Sequence, residues 1–138
     1  MIDTNNNDEI PNMVVHTDIF NNVIELIGKV TPSMEAYCNT HSANRCPLSM
    51  YGDDFLEATM MQHRLWLHPP PGQERKAIEH YLLCRDKDPT TTSAIIIVPS
   101  TGNGIAMPWT PLMRHMVLLK QYVKEDKIFT IGEGRFGT

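Results

Sequence analysis

Three cysteines, Cys38, Cys46 and Cys84, are too few and too odd in number for a disulfide framework. Free thiols of this kind point to a reducing compartment, cytoplasm or nucleus. Long apolar runs are also absent: no window reaches the length of a transmembrane helix, so neither a membrane span nor a membrane partner is expected. The N-terminal "MIDTNNNDEIPN" lacks the basic start and apolar stretch of a secretory signal, and residues 1–15 read as a disordered or frayed leader. Excess positive charge is missing as well. A formal net charge of −4 excludes a protein that coats nucleic acid by bulk electrostatics. The charge is uneven, however. Up to Thr59 there are 2 Lys/Arg against 9 Asp/Glu, and from Met60 onward 10 against 7, giving −7 and +3 for the two parts. Local basic contacts therefore belong to the second part.

At 138 residues the chain has the size of one domain, and residues 16–138 are read as that domain. Thr17 is placed to cap a helix whose Ile19, Phe20, Val23, Ile24 and Ile27 share a face, with Gly28 to stop it. "KVTPSMEAYC" reads as a weak strand interrupted by Pro32, and "NTHSANRCPLSMYGDD" as loop throughout. "HRLWL" is a strand ending in the run His68-Pro69-Pro70-Pro71. That run must be a stiff corner, since each proline removes a donor and fixes φ. "GQERKAIEHYLLCRDKD" has helical spacing at Ala77, Ile78, Tyr81 and Leu82. "TTTSAIIIVPS" reads as a central strand buried on both faces. Thr110 and Pro111 open a helix expected to run through Leu112, Met113, Met116 and Leu119. "KQYVK" and "KIFTI" read as short strands around an acidic turn.

This order of elements is that of an α/β sheet, whose ligands bind beyond the carboxyl ends of the strands. Both the "HPPP" corner and the loop "PSTGNGIAMPW" fall there. The corner resembles the Asn/Asp-Pro-Pro-aromatic signature of DNA adenine methyltransferases. The ordered set "HTDIFNNVIELIG", "TPSMEAYCNTHSANRCPLSMYGDDFL", "LWLHPPP", "AIIIVPS" and "PWTPLM" is similar to phage-type members of that family. It is more similar still to the methyltransferase-like segment of retroelement polyproteins. The resemblance implies a reduced Rossmann-like sheet flanked by helices, with His68, Pro69, Pro70 and Pro71 at the catalytic corner.

In the family, the Asn/Asp oxygen and the following carbonyl accept hydrogen bonds from the target amine, and the aromatic ring stacks on the flipped base. Here His68 stands for the Asn/Asp and Pro71 for the ring, so the resemblance implies a degenerate, inactive corner. On the cofactor side it places Glu35 at the S-adenosylmethionine-contacting acid, which in the family ends the first strand. It matches Asn44 with Asp53 or Asp54 to the stretch that follows. The implied function is a pseudoenzyme-like accessory module of retroelement or phage origin that needs no cofactor and binds DNA, RNA or a protein. Two alternatives stay open: a divergent S-adenosylmethionine-dependent methyltransferase, and a purely structural or assembly domain. For the corner itself the first reading is a rigid turn closing the strand with no ligand, followed by a remnant base or peptide pocket and then by working methyl transfer.

Candidate nucleic-acid contacts are Arg64, Arg75, Lys76, Trp109, Arg114 and Lys120, with Trp66 read as core. His80 and Cys84 lie four apart on a helix, and Cys38, His41 and Cys46 lie close in sequence. Neither set has the paired spacing of a zinc site, so no metal is expected. "STGNG" lacks the Lys-Ser/Thr ending of a phosphate loop and reads as a flexible loop.

Overall fold

In the computed structural model, which describes residues 13–38, 46–99, 107–114, 116–122 and 129–131, the chain divides into two units. The first holds a strand β1, Met13–Val15, a helix α1, Thr17–Leu26, and a strand β6, Phe129–Ile131. β1 pairs antiparallel with β6, Val14 opposite Thr130. Three residues of the segment read as a leader thus belong to a strand, and Val15 is buried. α1 buries Phe20 and Val23, as the apolar spacing predicts, and Gly28 follows it at φ 89°. Its cap differs from the expectation. Thr17 is the first helical residue, and His16 is the cap, its Nδ1 accepting from the Asp18 N–H at 3.1 Å. A ring nitrogen one bond beyond Cγ reaches the donor two residues on, as an Asn oxygen would.

The second unit is a mixed α/β layer around a four-stranded sheet. Its strands are β2, Met34–Cys38; β3, Leu48–Tyr51; β4, Arg64–Leu67; and β5, Ser93–Ile96. Their order is β3-β2-β4-β5, and every pairing is parallel. Helix α2, Gly52–Glu57, joins β3 to β4, and helix α3, Glu74–Lys87, joins β4 to β5. Alternation along the strands sets two faces. Met34, Ala36, Leu65 and Leu67 form one, and they cluster with Phe55 of α2 and Ala77 and Tyr81 of α3. Phe55, Leu65, Leu67, Ala77 and Ile78 are fully covered. Each of the larger side chains among them contributes about 1.5–3 kcal/mol by leaving water. Glu35 and Trp66, cross-strand neighbours in register, lie on the other face.

Four expectations are corrected here. Within the stretch read as loop, "LSMY" is a strand and "GDD" opens the helix Gly52–Glu57. β3 is an edge strand with mostly exposed side chains, so it shows no apolar run for a sequence reader to find. The β-branched "SAII" does form a strand, but at the other edge of the described sheet and only partly covered. Branched residues favour strand geometry wherever the strand sits, so they do not report its position. Thr110–Met113 forms a 3₁₀ turn, and residues 116–122 are not helical. Pro111 sits in its first turn as expected, and Met116 packs against the core without a helix to carry it. Of "KQYVK", Lys120–Tyr122 is not a strand and the remainder lies outside the described residues, whereas "KIFTI" contains β6. No helix among the described residues is long and apolar enough to cross a membrane.

Candidate functional site at the carboxyl ends of the parallel strands

The proline corner follows from the turn that ends it. Pro71 and Gly72 are the central residues of a turn closed by the Gln73 N–H donating to the Pro70 carbonyl at 3.0 Å. Gly72 has φ 88°, so Pro at the first central position and Gly at the second make a type II turn. The Gly72 N–H, otherwise without a helical acceptor, donates to Glu74 Oε1 at 2.8 Å. Glu74, the first residue of α3, is buried, and its carboxylate lies where the helix dipole favours negative charge. Arg85 and Lys87 complement the other end.

The corner also occupies a particular place in the sheet. From β2 the chain moves to β3 on one side, and from β4 to β5 on the other. β2 and β4 are neighbours whose connections leave in opposite directions, which makes their carboxyl ends the topological switch point where open α/β sheets bind ligands. His68, partly buried, is the first residue beyond β4. Pro69 is buried and Pro71 exposed. The loop after β5 returns to the same end: Arg75 Nη1 donates to the Pro108 carbonyl at 3.1 Å, and Arg75 Nε to Glu79 at 3.1 Å. The expected convergence of the two loops is thus realised through Arg75. The segment Ser100–Gly104 lies outside the described residues.

Other site residues are placed differently. Glu35 is not at a strand end. It is the second residue of β2, 4% exposed and in register with Trp66, which is 1% exposed. The strand ends three positions later at Cys38, about 10 Å along a strand. Asp54 is exposed on α2, beyond the end of the edge strand β3. Only the backbone of Asp53 is described, and Asn44 lies outside the described residues. The described members of the cofactor set occupy different elements, Glu35 within β2 and Asp54 on α2. One acid is enclosed in mid-strand, and the other stands past the edge of the sheet.

Among the basic candidates, Lys76 and Arg114 are exposed in the same unit as the corner. Arg64 begins β4 and so lies at the amino end of the sheet, away from the corner. Its N–H donates to Ser33 Oγ at 2.9 Å, and that hydroxyl lies 3.1 Å from His63 Nδ1, tying β2 to β4 at their starts. Lys120 belongs to the first unit, its ammonium 5.4 Å from the Tyr122 ring centroid. Trp109, expected as a loop contact, is 6% exposed. It belongs to the core, because a tryptophan in a Pro-rich loop packs inward as readily as it reaches outward.

His80 and Cys84 do meet, with Nε2 and Sγ 3.5 Å apart. His80 Nε2 lies 2.6 Å from the Ala58 carbonyl, so this nitrogen carries the proton and donates, while the Met60 N–H donates to Cys84 Sγ at 3.4 Å. The pair anchors the chain after α2 to α3. Cys46 is buried, while His41 and the Cys38 side chain lie outside what is described. Among the described residues no group of three or more His, Cys, Asp or Glu could hold a metal.

Sequence reasoning missed Glu74 and the Arg75–Pro108 bond. Only a Glu two residues after the Pro-Gly pair hinted at the first, and nothing hinted at the second. No protein-family model, no curated protein and no solved structure matches this chain.

Proposed function

We propose that this chain is a methyltransferase-like domain that performs no methyl transfer and acts as an accessory module, of retroelement or phage origin, binding nucleic acid. The observation that carries the reading is the position of His68–Pro71 at the switch point between β2 and β4. That is where the family's corner would lie, and the motif order quoted above agrees with it. The residue types support loss of chemistry. An imidazole offers one acceptor at a different reach from an amide oxygen, and the Pro71 ring has no π-face on which a base could stack. Glu35, enclosed in the sheet, supports a chain that works without S-adenosylmethionine.

Binding would draw on Lys76 and Arg114, which are exposed in the same unit as the corner; Arg75 is already held by Glu79 and Pro108. Few phosphates would be neutralised, so affinity should be modest and should fall steeply with salt. A gel-shift series with duplex and single-stranded DNA and with RNA tests this. The variant Lys76→Glu, Arg114→Glu is expected to weaken binding about tenfold or more and to flatten the salt slope by about two. No shift for the unaltered chain at low salt would refute nucleic-acid binding and favour a protein partner. A shift indifferent to the variant would move the contact face elsewhere.

A further inference from the structure

We draw no further inference here: the strongest candidate, the exposed apolar run Val117–Leu119 in the first unit, where Val117 is 83% and Leu118 75% exposed, carries nothing because nothing in the structure shows what covers it.

Discussion

Gly72 gives the proline corner its direction. Its φ of 88° lies in the left-handed region, and a Cβ built there meets nothing within 4 Å. The cost of a side chain at this position is therefore backbone strain alone, with no clash to add. Gly72→Ala should destabilise the fold by about 1–2 kcal/mol, read as a lower urea midpoint at unchanged slope; an unchanged midpoint would mean that the turn is not held in this form. Tyr81 makes a different prediction, in pH. Burial in the core raises its phenol pKa above the ordinary 10.0, the larger effect, with the Arg85 charge acting the other way. The folded state then keeps the proton that the unfolded state loses first, so stability is fully present below pH 10.0 and falls as pH rises beyond it. Tyr81→Phe should flatten that alkaline decline in denaturation midpoints measured on either side of pH 10.0.

At the scale of elements, α3 tests the packing most cleanly because one helix presents both extremes. Ile78 is fully buried and Leu83 is 62% exposed. Ile78→Ala should cost about 2–5 kcal/mol, while Leu83→Ala should stay within about 0.5 kcal/mol of the parent; equal costs would mean that the helix faces the other way. α3 was legible in the sequence, since Ala77, Ile78, Tyr81 and Leu82 recur at helical spacing; the first three prove buried and Leu82 partly so. β4 was legible for a similar reason, an apolar run cut off by prolines. β3 was not, because an edge strand with Leu48 and Tyr51 half in water carries no periodic apolar signal. The helix expected through Leu119 failed on a different ground. A Thr-Pro start and well-spaced methionines specify a first turn, whereas continuation needs a face to bury, and Val117 and Leu118 bury little. Trp109 and Glu35 were misplaced because burial depends on what the rest of the chain brings over a residue, which local composition does not state.

At the scale of the whole molecule, the parallel sheet places His68–Pro71 at the switch point between β2 and β4, and the proposed loss of methyl transfer rests on the residue types found there. Replacing the two altered corner residues is then expected to be insufficient. The variant His68→Asn, Pro71→Tyr should stay folded, because the turn bond runs from Gln73 to Pro70 and spares both positions. It should transfer no labelled methyl group from S-adenosylmethionine to adenine-containing DNA, since productive geometry also requires a supporting shell and a placed donor. Methylation by this variant would mean that His68 and Pro71 alone withhold the activity. The most direct measurement bears on the donor site itself: calorimetric titration of the unaltered chain with S-adenosylmethionine. The account predicts no saturable heat. Saturable binding with a dissociation constant in the low micromolar range, about −8 kcal/mol, would contradict it, because a cofactor pocket would then exist that does not depend on an acid at the end of β2.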